Sequence, residues 1–169
     1  MSFWPLIAWK GATPEYDRAL DQLLEEWWDV IVIDNIGSVH ALPKAKRYRM
    51  KNPNVQLVYV SHEHEYTTRR DKYAKYRMKF LERIFALVDL AKIRLSEERL
   101  IRECDIVTVI NRADLKPFRE ICPAQKYLIL VPGYDGPVVE SRKITENTPR
   151  RVLLLGGRQS EQKRQILLD

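Results

Sequence analysis

The sequence predicts an α/β protein, a doubly wound and Rossmann-like parallel sheet in three α/β/α layers. Three observations predict it. Short apolar runs at residues 29–34, 55–60, 105–110 and 126–131 each read as a buried strand. Helical periodicity fills the stretches between them, and such alternation implies right-handed crossovers between parallel neighbours. Each run also ends in a polar loop, which is where open α/β sheets bind ligands.

The elements follow in order. Thr13 reads as an N-cap with Pro14 at the first helical position, and Tyr16, Ala19, Leu20, Leu23, Leu24 and Trp27 recur at helical spacing. The run at 29–34 reads as a central strand. Ile36-Gly37-Ser38 is a turn with Ser38 as cap, opening a basic helix at 39–51 that tolerates Pro43 near its start. After the strand at 55–60, residues 67–104 are helical throughout. One helix of that length is unusual, so a break is expected between Leu87 and Ser96. Asn111 caps a helix that runs to about Ile121, and a proline-glycine turn at 132–136 follows the fourth strand. Residues 1–140 thus make one domain and the polar stretch 141–150 a linker. Residues 151–169 open a second domain. Val152 to Leu155 read as a strand, Gly156 and Gly157 as a tight turn, and Ser160 as a helix cap. A strand, a glycine turn and a helix N-terminus form an anion site, here flanked by Arg158, Lys163 and Arg164.

Composition narrows the class. A chain of 169 residues with ordinary apolar content builds a substantial core, which excludes wholesale disorder. Twenty-nine basic against 23 acidic side chains give +6, a balance that favours anionic partners without choosing among nucleotide phosphates, lipid headgroups and nucleic acid. Cys104 and Cys122 are isolated, which speaks against a disulfide framework or zinc ribbon and for a reducing, cytoplasmic compartment. The apolar start at residues 1–10 lacks a basic flank and a cleavage site, and it is too short to span a bilayer. Membrane contact, if any, is then peripheral, at the inner face. No Gly-x-Gly-x-x-Gly, P-loop or Gly-x-Ser-x-Gly motif occurs, so dehydrogenase, P-loop NTPase and α/β-hydrolase chemistry lack their signatures. No Asp-x-Asp suggests a divalent-metal site either.

His62 stands just past a strand end. It reads either as a general base or hydrogen-bond donor, or as a loop histidine that touches only water. His62 and His64 with Glu63 and Glu65 form an extended His-x-His lacking a third ligand at a recognisable spacing, so the reading is no metal. Glu97, Glu98 and Arg99 read as helix surface. Asn111 and Asp114 have a structural explanation as cap and first-turn acid, and their loop position leaves a functional role open. Two basic clusters stand out: Lys44, Lys46, Arg47, Arg49, Lys51, and Arg69, Arg70, Lys72, Lys75, Arg77, Lys79, Arg83. Tyr66, Tyr73, Tyr76 and Phe80 interleave with the second. Either cluster alone reads as a solvated helix face. Together they tilt towards a membrane-proximal anionic surface, with nucleic acid the less favoured target.

Val58-Tyr-Val-Ser-His-Glu-His-Glu65 with Arg69 after it, and Glu98-Arg-Leu-Ile-Arg-Glu-Cys-Asp-Ile-Val-Thr-Val-Ile-Asn-Arg-Ala-Asp114, occur in sequence with Val131-Pro-Gly-Tyr-Asp135 and Gly157-Arg-Gln-Ser-Glu-Gln-Lys163. In this order they resemble glycosyltransferase family 4 and its relatives, retaining enzymes of two Rossmann-like domains. The resemblance extends from about Trp28 to the C-terminus, with Asn111 and Arg112 where the family usually has Ser and Glu. It implies a nucleotide-sugar donor as co-substrate, no cofactor or metal, and a glycan or lipid-linked acceptor. It also implies that His62 is an acceptor-side catalytic residue, with Asn111, Asp114 and Glu65 beside the acceptor. Gly157, Arg158 and Lys163 would hold the donor diphosphate, neutralising the leaving group.

By the same resemblance the first strands are missing, with Phe3 to Trp9 standing for a middle strand, and the second domain is only begun. The expectation is a fragment that alone does not transfer sugar. Two rivals are a non-catalytic basic module for anionic membrane or nucleic acid, and an unrelated α/β enzyme that uses His62 with Asp34 or Asp114.

Overall fold

The computed structural model describes residues 3–131, 133, 136 and 145–149. The chain divides into two compact units, Met1–Gly133 and Tyr134–Asp169. In the second, the described residues form a turn in which the Thr148 amide donates to the Thr145 carbonyl at 2.9 Å. The strand, glycine turn and helix expected at 151–169 lie outside the described residues.

The first unit is an α/β domain with a four-stranded parallel sheet, the Rossmann-like class read from the sequence. Strands β1 (Val30–Asp34), β2 (Gln56–Ser61), β3 (Ile106–Val109) and β4 (Tyr127–Ile129) lie in the order β1-β2-β3-β4. Register pairs Ile33 with Tyr59, Tyr59 with Val107, and Val107 with Tyr127. The helices are α1 (Leu6–Trp9), α2 (Pro14–Leu23), α3 (Leu42–Lys51), α4 (Glu65–Lys75), α5 (Phe80–Glu103) and α6 (Leu115–Ile121). Thr13 caps α2 through its side chain and Pro14 sits in the first turn, as the sequence predicts.

Repeating a right-handed crossover in one direction returns each helix to the same face of the sheet. Ile33, Leu57, Tyr59, Val107 and Val109 share that face, and they form one core with Leu42 and Ala45 of α3, Ile93, Leu100 and Ile101 of α5, and Phe118 of α6. Ala8 of α1 joins them, fully buried. On the opposite face Val30 and Val32 are 45% and 56% exposed, and Leu128 is 40% exposed. Among the described residues helical cover is on one face, because the strand order runs one way only. The α/β Rossmann-like class stands, and the second winding and third layer expected from the sequence are not seen among these residues.

Asp105 ties the layers together. One carboxylate oxygen accepts the Leu57 amide at 2.7 Å and the other accepts from the Arg49 guanidinium at 2.7 Å. Tyr48, the neighbour of Arg49 on α3, acts similarly, donating to the Glu26 carbonyl at 2.8 Å and accepting the Trp28 amide at 3.0 Å.

Four local expectations are corrected. The run at 29–34 forms an edge strand rather than a central one among the described residues, where β1 is the first strand of the sheet order and has β2 alone beside it. Phe3 to Trp9 contain helix α1 instead of a strand: the Ala8 and Trp9 amides both return to the Pro5 carbonyl. Ser38 lies inside a 3₁₀ turn, Ile36–Ala41, that Asn35 caps in its place. The break in the long helical stretch falls at 76–79, between α4 and α5, while α5 runs unbroken through Leu87 and Ser96. There the Lys79 amide donates to the Glu82 carboxylate at 2.8 Å, starting a new helix in place of continuing the old one.

Candidate functional site

Three loops leave the carboxyl ends of β1, β2 and β3. The first begins at Asp34. Asn35 follows with φ of 55°, a left-handed conformation that Asn tolerates better than most side chains. Its side-chain oxygen accepts the Gly37 amide. A Cβ on Gly37 would come within 2.9 Å of that oxygen, so the cap requires glycine. The turn is thereby fixed, and Asp34 is left projecting from the sheet edge with its side chain 67% exposed.

The second loop presents His62. Its Nε2 lies 2.9 Å from Asp34 Oδ1, and its side chain is 50% exposed. A carboxylate only accepts, so the neutral imidazole donates from Nε2 and holds Nδ1 as a proton acceptor. A general base needs this arrangement: an imidazole held in one tautomer by a carboxylate and reachable from solvent.

Two residues on, the same loop turns inward. His64 Nδ1 lies 2.6 Å from the Thr67 hydroxyl, and the ring packs edge-on against Phe118 at 5.3 Å. Glu97 of α5 approaches the N-terminus of α4 from inside the protein. Its Oε1 accepts the Glu65 amide at 2.7 Å and its Oε2 the Tyr66 amide at 3.1 Å, with His64 Nε2 3.5 Å from Oε2. Glu97 is 1% exposed, which corrects its reading as helix surface. Burial pushes its carboxyl up to about 7, against the pull of the two amides that favour the charged form. Burial also lowers the His64 pKa, so this ring is neutral where an exposed histidine would begin to charge. Glu97 therefore anchors the start of α4 and, with it, the loop that carries His62. Sequence reasoning missed it, because Glu-Glu-Arg on a helix looks like surface until the partner amides are in place.

Glu65 is also buried. It forms an ion pair with Arg69 at 2.5 Å, one turn along α4, and burial raises its pKa against that pairing. In the third loop Asn111 accepts the Ala113 amide at 3.0 Å and so acts as a cap. Asp114 stands at the N-cap of α6 without a side-chain bond to the helix, and its charge acts on His64 and Glu97. The structure thus brings His62 to Asp34, gives Glu65 to Arg69, and uses Asn111 as a cap. Gly157, Arg158 and Lys163 lie outside the described residues, as does most of the 132–136 turn.

The first basic cluster is largely matched. Lys44 meets Asp21 at 2.8 Å and Asp17 at 3.3 Å, Lys46 meets Glu103 at 2.8 Å, and Arg49 meets Asp105 at 2.7 Å. Among the described residues no group of three or more His, Cys, Asp or Glu is arranged to hold a metal ion. Comparison with family models, with curated proteins and with solved structures finds no match to this chain.

Proposed function

We propose that this chain supplies the acceptor side of a glycosyl-transfer site, with His62 as the acid–base or hydrogen-bonding group and Asp34 as its orienting carboxylate. The observation that carries the reading is the 2.9 Å contact between them at the carboxyl edge of two adjacent parallel strands. A nucleotide-sugar donor and a glycan or lipid-linked acceptor are the substrates. Arg158 and Lys163 neutralise the departing diphosphate, Gly157 lets it approach the backbone, and Asp114 borders the acceptor. Glu65 and Asn111 then act as positioning residues, since their side chains are committed to Arg69 and to the turn before α6.

The test titrates the whole chain with acceptor saccharides and with nucleoside diphosphates, followed by the imidazole resonances of His62. A saccharide is expected to shift His62, and Asp34→Asn to weaken that binding about tenfold, the loss of one charge-assisted hydrogen bond. Nucleoside diphosphate binding is expected to vanish in the Arg158→Ala, Lys163→Ala double variant and to survive His62→Ala. Absence of any saccharide response at His62 overturns the reading.

The same contact supports a second reading, an α/β enzyme of another class in which the Asp34–His62 pair performs acid–base chemistry on a different substrate. A ligand that shifts His62 without any nucleoside diphosphate binding would favour it.

A further inference from the structure

We propose that the apolar groove between α1 and the α4–α5 elbow seats this protein on the surface of an anionic lipid bilayer. The groove has a volume of about 660 Å³. Trp4, Leu6 and Trp9 form one wall, and Tyr73, Tyr76 and Phe85 form the other. Asp89 builds it: one carboxylate oxygen accepts the Leu6 amide at 2.7 Å and the other accepts the Tyr73 hydroxyl at 2.8 Å, joining α1, α4 and α5.

Beyond the groove the apolar surface continues along α5. At 100° per residue, Leu87, Phe80, Ile84, Leu81 and Phe85 fall on one arc of less than half the helix circumference. All five are exposed, Phe80 by 77%, Leu81 by 66% and Phe85 by 59%. A contiguous apolar surface of this kind marks an interaction site.

The charge around it decides what the occupant is. Six basic side chains against two acidic ones lie between Lys72 and Lys92. Both acids have local duties, Glu82 at the Lys79 amide and Asp89 at Leu6 and Tyr73. An apolar floor with aromatic walls and a basic rim matches the layering of a bilayer surface. Hydrocarbon takes the leucines and phenylalanines, the headgroup zone takes Trp and Tyr, and anionic phosphates meet the cations. Lys and Arg stems reach outward from such a floor while their charges stay in water. A second copy of the chain would oppose the same basic rim to itself, a like-charge arrangement that disfavours pairing. Nucleic acid would satisfy the cations and leave the phenylalanines in water. No helix among the described residues is long and apolar enough to cross a membrane, so the contact lies on the surface.

The test uses the whole chain with Trp27→Phe and Trp28→Phe, leaving Trp4 and Trp9 as reporters, and mixed phosphatidylglycerol–phosphatidylcholine vesicles with brominated acyl chains. Binding with bromine quenching of the tryptophan emission is expected. Leu81→Ser with Phe85→Ser, both exposed and so harmless to folding, is expected to lower vesicle affinity about a hundredfold. Arg77→Gln with Lys79→Gln is expected to lower it about thirtyfold, about 1 kcal/mol for each charge. Unchanged circular dichroism of each variant confirms that the fold is kept. Three outcomes would overturn the proposal. One is vesicle binding without quenching, which is charge adsorption alone. Another is concentration-dependent dimerisation abolished by Phe85→Ser in the absence of vesicle binding. The third is oligonucleotide binding lost with Arg77 and Lys79 while vesicles are ignored.

Discussion

His62 and His64 stand two residues apart on one loop, and each lies near a carboxylate. Asp34 and His62 meet at 2.9 Å with both side chains at least half exposed, whereas Glu97 and His64 approach within 3.5 Å, nearly sealed from solvent. The exposed pair is worth little to stability, and both of its side chains stay within reach of a ligand. In the interior, burial penalises charge on both members, lifting the carboxyl to about 7 and lowering the imidazole. One pair thus faces solvent and the other is built into the architecture. The buried one holds the N-terminus of α4 and so fixes where the exposed one stands.

The contrast can be broken most directly at Glu97. Glu97→Leu removes the acceptor for two amides at the start of α4, and it is expected to destabilise the fold by about 4 kcal/mol in urea unfolding. A loss below about 1 kcal/mol would mean that the buried pair is not structural. Next comes pH. A carboxyl raised to about 7 from its usual 4.5 binds its proton more tightly folded than unfolded. Stability from this group is therefore full below the unfolded value and is lost as pH climbs to about 7, by an amount on the order of 3 kcal/mol. His64 works the other way, because a lowered imidazole favours the fold above its ordinary value of 6.5 and weakens it as pH falls. Comparing the parent chain with Glu97→Gln across this range separates them: the variant should lose the Glu97 slope and retain that of His64. The smallest effect on stability belongs to Asp34→Asn, within about 0.5 kcal/mol. Its mark should be on the ring. Nitrogen chemical shifts of His62 are expected to report a mixture of tautomers where the parent holds one, and an unchanged spectrum would remove Asp34 from its orienting role.

How much of this could be read from the sequence depends on how local each cause is. The strands were legible because buried parallel strands need apolar runs, and 55–60 and 105–110 supply them within a residue or so of their ends. Thr13 and Pro14 were legible because capping is a property of adjacent residues. The edge position of β1 was not, since Val-Ile-Val-Ile has the same composition at an edge as at a centre. Nor was the elbow at 76–79, which contains neither Gly nor Pro; its local signal is Glu82, three residues past Lys79. His62 stood out by its place after a strand, and Asp34 by ending one. Their contact depends on the register between β1 and β2, which spacing does not encode. Glu97 was least legible of all, being defined by amides 31 and 32 residues away.

The strand order carries a consequence for how the domain assembles. Because β1 to β4 pair in the order of synthesis, each new strand docks on an edge that already exists, and no earlier pairing must open to admit it. The β2-to-β3 connection, residues 62–105, is roughly twice as long as the β1-to-β2 connection, residues 35–55. Doubling a loop adds only about 0.6 kcal/mol of closure entropy. The sheet can therefore grow from its N-terminal edge in step with translation, and the helical stretch between β2 and β3 delays its third strand only slightly.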